Sequence, residues 1–304
     1  MPILLLDKPS GITSFQALRE CNNLFAFTKY GHGGTLDPKA TGLLPIFIDH
    51  DTIFSKICLL SSKKYEVICH LGVSTTTYDT EGELIECESK NIEPSIDKIL
   101  ESLKIFTGSY NQLPPIYSAV KINGKRLYSI ARTKKNETLK SLKVKPRPIT
   151  IYSIDLLNYI YPFLNLQVVC SSGTYVRSLV NDLGNYLHCG AHVSTLRRLG
   201  VSCFNSKMYT LDQLSSCNQI DREALLIQTS DLISEQPHIL LSDYQIKKLS
   251  NGQKISYHDL IDSDSYLENQ EYLLASTRKK LVGFGLIQDQ FLKPTRMISN
   301  HTYN

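Results

Sequence analysis

No apolar run in this 304-residue chain approaches the ~20 residues that a bilayer-spanning helix needs, so a helical membrane protein is excluded. No Cys-x-x-Cys pair occurs among the eight cysteines, Cys21, Cys58, Cys69, Cys87, Cys170, Cys189, Cys203 and Cys217. Their scatter through apolar stretches excludes a zinc ribbon and makes a disulfide framework improbable at this chain length. Buried, reduced cysteines acting as small hydrophobes are expected instead. No Gly-x-x-x-x-Gly-Lys-Ser/Thr pattern is present, which excludes a phosphate-loop nucleotidase. Internal repeats and low-complexity linkers are also missing. The opening Met1–Lys8 has no basic region, and its apolar stretch is too short for a secretory leader, so a cytoplasmic protein is expected.

What is present is ordinary in bulk and uneven in detail. Hydrophobic residues make up 42% and charged residues 20%, as in a globular chain of one large and one smaller domain. The net charge is +4, but ten Lys/Arg and a single acid, Glu137, fall between Lys121 and Arg147. That segment carries +9, and +4 less +9 leaves −5 for the remainder. A concentrated basic segment is the footprint of a phosphate-backbone binder, although a solvated charged loop has the same composition.

Local patterns place most elements. Ile3–Leu6 reads as a buried strand. Thr13 with Gln16 forms a capping box for a helix to about Phe25, with Phe15, Leu18 and Cys21 facing the core. Leu43–Phe47 reads as a strand or the start of a helix. Tyr65, Val67, Cys69 and Leu71 alternate along a strand over residues 65–73. A polar loop over 75–82 leads to a short strand over 83–86, and Ile96, Ile99, Leu100 and Leu103 define a helix ending before Gly108. Gln112-Leu113-Pro114-Pro115 suits neither helix nor central sheet. It leads into a strand over 117–122 and an Asn123-Gly124 turn.

Residues 149–157 and 163–170 read as paired strands. Ser171–Thr174 is a turn and cap before an amphipathic helix carrying Val176, Leu179, Val180, Leu183, Tyr186 and Leu187, which Gly190 closes. A strand over 195–204 and a mixed stretch over 211–233 follow. Beyond about residue 236, Ser242 and Gln245 cap a short helix ending at Gly252. Strands over 272–276, 280–287 and 291–297 complete a β-rich terminal module. His188-Cys189 with His192 resembles metal ligands but lacks a second pair, so no metal is expected.

The stretch Gly31-His32-Gly33-Gly34-Thr35-Leu36-Asp37-Pro38-Lys39-Ala40-Thr41-Gly42 sets one isolated carboxylate among four glycines. Pro38 biases Asp37 toward extended backbone, and the glycines leave room for another chain to approach. Two readings are open from these residues alone: an Asx turn, or a carboxylate presented to a large substrate.

Several motifs occur in order: Leu5-Leu6-Asp7-Lys8-Pro9-Ser10-Gly11, the glycine stretch, Lys64-Tyr65-Glu66-Val67, Gln112-Leu113-Pro114-Pro115 with Tyr117-Ser118-Ala119-Val120-Lys121, Gly173-Thr174-Tyr175-Val176-Arg177, and Gly190-Ala191-His192-Val193 with Leu196-Arg197-Arg198-Leu199. Together they resemble the TruB family of tRNA pseudouridine synthases over about residues 4–214. Residues 281–296 are similar, more weakly, to the PUA-like end of bacterial members. Gly33 stands where many members carry Thr, so a hydroxyl before Asp37 is missing. The basic segment is longer than the usual bacterial form.

The resemblance implies an α+β pseudouridine synthase fold, with a mixed, mainly antiparallel central sheet flanked by helices. It implies a catalytic domain over 1–235 with an RNA-clasping insertion at 121–147, and a PUA-like domain over 236–304. The implied activity is isomerisation of the uridine at position 55 in the tRNA T-loop, without metal or cofactor. Asp37 is then the catalytic carboxylate, Arg177 the guanidinium that keeps it ionised, and Tyr65 a stacking partner for the extruded uracil. His32 props the vacated space, Tyr175 and Leu196 line the uracil pocket, and Lys8 supports the site. The expected partner is the tRNA T-arm, bound by a monomer with no obligatory protein partner and no membrane. A guide-RNA-dependent enzyme would need partner proteins and a fuller terminal domain, and an RNA-folding helper would not need Asp37.

Overall fold

Short-range sequence rules account for much of the backbone. In the computed structural model, residues 2–85, 93–118, 121–122, 125–127, 144–201, 204, 207–228 and 237–298 are described. Strand β1 spans Pro2–Lys8, helix α1 Ser14–Phe25, β2 Tyr30–His32, β3 Thr41–Ile48, α2 Ser55–Leu60, β4 Lys63–Leu71, β5 Ser74–Thr75 and β6 Leu84–Ile85. Next come α3 Ile96–Phe106, β7 Gly108–Gln112, β8 Lys121–Ile122, β9 Lys125–Arg126, β10 Arg147–Ile160, β11 Phe163–Cys170, α4 Val176–Tyr186 and β12 Ala191–Val201. The chain continues through α5 Leu211–Ser216, α6 Gln219–Ala224, β13 Ile227–Gln228, β14 His238–Leu241, α7 Asp243–Ser250, β15 Ile255–Ser256, β16 Glu271–Ser276, β17 Leu281–Gln288 and β18 Phe291–Met297.

Two compact units form, each from separated stretches: Met1–Pro38, Gly42–Leu59 and Cys203–Asn304 in one, Lys39–Thr41 and Leu60–Ser202 in the other. In the first, β1 lies between β13 and β3, and β2 pairs with the far side of β3, all antiparallel. Leu4, Leu6, Leu44 and Ile46 meet Ala17, Leu18 and Cys21 of α1. The Thr13–Gln16 capping box is formed as its residue types require. Burial pushes the Cys21 thiol up to about 12, so it packs as a hydrophobe. The same unit holds a second sheet, in the order β14-β16-β17-β18-β15. Only its β14–β16 pairing is parallel, and α7 covers its core. Phe54 packs on Phe284, and Lys56 pairs with Glu271.

The second unit is built on an antiparallel sheet in the order β12-β4-β11-β10-β7. Val67, Cys69 and Leu71 of β4 are buried against Val176, Leu179, Val180 and Leu183 of α4 and Ile99 and Leu103 of α3. Burying each such aliphatic side chain is worth roughly 1.5–3 kcal/mol. β8 and β9 pair antiparallel, and the turn expected in this region is at 123–124. That turn, Tyr128, most of the basic segment, Cys87, Cys203 and the 235/236 boundary lie outside the described residues.

Several expectations need correction. Phe15 is exposed, because α1 buries the row Ser14, Ala17, Leu18 and Cys21 and Phe15 falls off it. The helices expected from the spacing at 96–103 and 176–187 are present, with Ile96, Leu100 and Tyr186 on their exposed sides. In keeping with a stretch unsuited to helix or central sheet, Gln112 ends β7 at the sheet edge, paired with Arg147, where the following prolines remove no ladder bond. Of the strand expected over 117–122, Tyr117 and Ser118 lie in a bend and Lys121–Ile122 form β8. Thr174 does not cap α4: Tyr175 holds the cap position, without a side-chain bond. The helix stops at Tyr186 and the backbone turns left-handed at His188, ahead of Gly190. The strand β13 and the parallel β14 were not foreseen.

Candidate active site

Asp37 sits in irregular backbone, half-buried, and the residues on either side of it are pinned. Ser14, the first residue of α1 and itself buried, binds Leu36 twice: the Leu36 amide donates to Ser14 Oγ at 2.8 Å, and Ser14 Oγ donates to the Leu36 carbonyl at 3.0 Å. On the other side the Pro38 carbonyl accepts from the Gly11 amide at 3.0 Å and from Lys8 Nζ at 3.0 Å. Lys8 is fully buried, and its ammonium also donates to the carbonyls of Pro9 and Ile12, both at 2.8 Å. A buried ammonium persists only where acceptors replace its water, and these carbonyls do so. The carboxylate is therefore carried on backbone held from both sides. Lys8 thus ties the Pro38 backbone to the turn after β1, and Ser14, in the sequence only a helix residue, does the same for Leu36.

His32 ends β2, and its Nδ1 accepts from the Gly34 amide at 3.3 Å, which makes Nδ1 the unprotonated nitrogen. Gly34 takes a positive φ of 132°, so a glycine is required there. The position of Gly33 has a steric cause. A Cβ on it would lie 2.7 Å from Cys58 Cβ and 3.1 Å from a Phe47 ring carbon. The space that a Thr would occupy is filled by Cys58.

In the other unit, Tyr65 and Leu196 lie diagonally on one antiparallel ladder. Val67 pairs with Leu196 and Tyr65 with Arg198, so all four share a face. Both Tyr65 and Leu196 are partly buried against the core that α4 covers. Arg177, in the first turn of α4, is 6% exposed and so is no surface arginine. Its Nη1 donates to the Thr77 carbonyl at 3.1 Å and to Asp79 Oδ2 at 3.2 Å, and its Nη2 donates to the Tyr117 carbonyl at 3.0 Å. A cation at a helix N-terminus opposes the helix dipole, and Asp79 offsets that cost.

Asp79 is itself held: its Oδ1 accepts from the Thr77 hydroxyl at 2.5 Å and from the Glu81 amide at 2.9 Å. Sequence reading placed Asp79 in a polar loop and assigned it nothing. The signal available was a Thr-x-Asp within a loop bounded by Gly82.

Tyr175 has its backbone amide and carbonyl bound by the side chain of Gln112. Two groups of the same unit have their ionisation disfavoured by burial. Asp182 of α4 has its carboxyl pushed up to about 6, and Tyr110 has its phenol pushed up to about 12. His192 Nδ1 donates to the Val73 carbonyl at 2.8 Å, and Cys189 is fully buried. Among the described residues no group of three His, Cys, Asp or Glu is placed to hold a metal. Among the same residues no helix is long and apolar enough to cross a membrane.

The arrangement offers a carboxylate on rigid backbone in one unit. In the other it offers a fixed guanidinium with an aromatic and an aliphatic side chain on one face. Comparison with known proteins identifies relatives. Residues 22–176 match the family model described as TruB family pseudouridylate synthase, N-terminal domain, and residues 177–231 that of the tRNA pseudouridylate synthase B C-terminal domain. The tRNA pseudouridine synthase B of Mannheimia succiniciproducens is 38% identical over 302 residues, covering 98% of this chain and 95% of that protein. The protein of the same name from Clostridium kluyveri is 36% identical over 298 residues, covering 97% and 98%. The structure of the archaeal box H/ACA sRNP Nop10–Cbf5 complex aligns with a TM-score of 0.74 at 20% identity, covering 98% of this chain and 86% of the other. That likeness establishes a shared fold, the mixed, mainly antiparallel α+β architecture expected from sequence.

Proposed function

The chain belongs to the TruB family of pseudouridylate synthases, and from that premise we propose that Asp37 drives isomerisation of the uridine at position 55 in the T-loop of tRNA. The chain is an isomerase that forms pseudouridine in tRNA. The reaction breaks the N-glycosidic bond of a uridine, turns the base and rejoins it through carbon five. No atom is gained or lost overall and nothing is oxidised, so the proposed reaction uses no cofactor or metal.

The reaction needs an ionised carboxylate held at the sugar and the base. Asp37 takes that role, and its support is the anchoring of Leu36 by Ser14 and of Pro38 by Lys8 and Gly11. Fixing a reacting group in advance lowers the entropic part of the barrier. Arg177 supplies the positive charge that favours the ionised form. Tyr65 stacks on the extruded uracil, Tyr175 and Leu196 line its pocket, and His32 fills the space it leaves.

The +9 segment over 121–147 clasps the T-arm through phosphate contacts. Residues 236–304 form a PUA-like domain that follows the catalytic domain over 1–235 in the chain. The enzyme acts in the cytoplasm as a monomer, without an obligatory protein partner.

The test is tritium release from unmodified tRNA labelled at uridine carbon five. Wild type releases the label from a transcript with uridine at position 55 and not from one with cytidine there. Asp37→Asn is expected to be slower by about 10³-fold or more. Undiminished release by Asp37→Asn, or release from the cytidine transcript, refutes the reading.

A further inference from the structure

Helix α4 starts without a side-chain cap of its own, although its first turn carries Arg177 and its cap residue is Tyr175. Helix starts leave amide donors without intrahelical partners, and a bulky aromatic at the cap position cannot satisfy them. A residue from another element does the fixing. Gln112, at the end of β7, is 2% exposed. Its Oε1 accepts from the Tyr175 amide at 2.8 Å, and its Nε2 donates to the Tyr175 carbonyl at 3.1 Å and to the Tyr110 hydroxyl at 3.2 Å.

The primary amide thus grips one peptide residue from both sides, as a neighbouring strand would. The stretch that follows continues the attachment. Ser178 Oγ donates to the Leu113 carbonyl at 2.9 Å, and Arg177 Nη2 donates to the Tyr117 carbonyl at 3.0 Å. Pro114 and Pro115 stiffen the chain between those two carbonyls.

We propose that Gln112 is a positioning residue for pseudouridine formation: its side-chain amide sets the backbone of Tyr175, and with it the orientation of the Tyr175 ring and the first turn of α4 that presents Arg177. The inference rests on the roles given to Tyr175 and Arg177 under the proposed function. Volume alone does not explain the residue. A buried side chain at the edge of a sheet needs no amide for packing, and this one has both its oxygen and its nitrogen committed to a single backbone residue. An error of about 1 Å in a group at a reacting centre can cost about a hundredfold in rate.

The test compares Gln112→Met and Gln112→Glu with wild type in single-turnover pseudouridine formation on unmodified tRNA, with enzyme in excess, alongside the dissociation constant for the same tRNA. Methionine keeps the length and volume and removes all three hydrogen bonds. Gln112→Met is expected to lower the single-turnover rate by about tenfold or more while changing tRNA affinity by less than about twofold. Glutamate keeps the acceptor for the Tyr175 amide and donates to the Tyr175 carbonyl only when protonated. The rate of Gln112→Glu relative to wild type therefore rises as pH falls. Groups that titrate in both proteins, Asp182 among them, cancel in that ratio. A purely structural role would produce no such trend, and the glutamate variant decides the matter should the methionine variant fail to fold.

Gln112→Met reacting within twofold of wild type, or a pH-independent ratio for Gln112→Glu, overturns the proposal. If wild type reacts and Asp37→Asn does not while Gln112→Met keeps its full rate, only the role of Gln112 fails. If wild type itself forms no pseudouridine, the functional reading fails and this inference falls with it.

Discussion

Replacing Asp79 should disable Arg177 without touching it. The pair is buried, with the Arg177 and Asp79 side chains 7% and 10% exposed and Nη1 3.2 Å from Oδ2. Removing one partner of such a pair leaves a desolvated charge, at a cost of about 3–5 kcal/mol. Asp79→Ala adds to this by stripping the acceptor from the Thr77 hydroxyl and the Glu81 amide. Asp79→Asn keeps an oxygen in place and gives up mainly the charge, so about half that cost is expected. For a chain of this length each kcal/mol moves the melting temperature by roughly 2 °C, which puts Asp79→Ala about 6–10 °C below wild type.

Loss of rate should exceed what stability explains, because a guanidinium without its carboxylate relaxes toward other acceptors. At temperatures where both variants are fully folded, the single-turnover rate should fall by about a hundredfold for alanine and less for asparagine. A double-mutant cycle with Arg177→Met isolates the pair: the double variant should be less destabilised than the sum of the singles by about 2 kcal/mol. Additive effects, or an Asp79→Ala protein that melts with wild type and reacts at its rate, would refute the assigned role.

Gly33→Ala should lower stability by about 1–3 kcal/mol through overpacking, because the new Cβ meets Cys58 Cβ at 2.7 Å. Adding Cys58→Gly should recover part of the loss in a thermal melt, and a single variant that melts with wild type contradicts the steric account. Asp182 has a folded-state carboxyl raised to about 6 from an ordinary 3.8, so the folded state holds its proton longer than the unfolded chain. Its contribution to stability therefore declines as pH rises from about 4 to about 6, and stays low above that. Asp182→Asn should be more stable than wild type at pH 7.5 by about 1–2 kcal/mol, after discounting for water reaching this half-buried group. That advantage should vanish toward pH 4 in paired melts, and an advantage independent of pH would show that the carboxyl is not the cause.

The sequence alone determined the elements whose causes are local. The Thr13–Gln16 box placed α1, alternation placed β4, and the i, i+3, i+4 rows placed α3 and α4. Ordered motifs marked Asp37, Tyr65 and Arg177 as candidates, because residue type and spacing survive in a linear reading. The errors were also local in kind. Phe15 was put in the core because apolar character was counted without the rotation that other buried rows impose.

What only the tertiary structure decided is how the polar groups of the site are held. Ser14 reaches Leu36 across 22 residues, Gln112 reaches Tyr175 across 63, and Asp79 reaches Arg177 across 98. A buried donor or acceptor must find a partner, but that demand does not specify where in the chain the partner lies. Periodicity reports which face is buried. It carries no information about which distant carbonyl or carboxylate will stand opposite a buried charge, and the folded backbone alone supplies that.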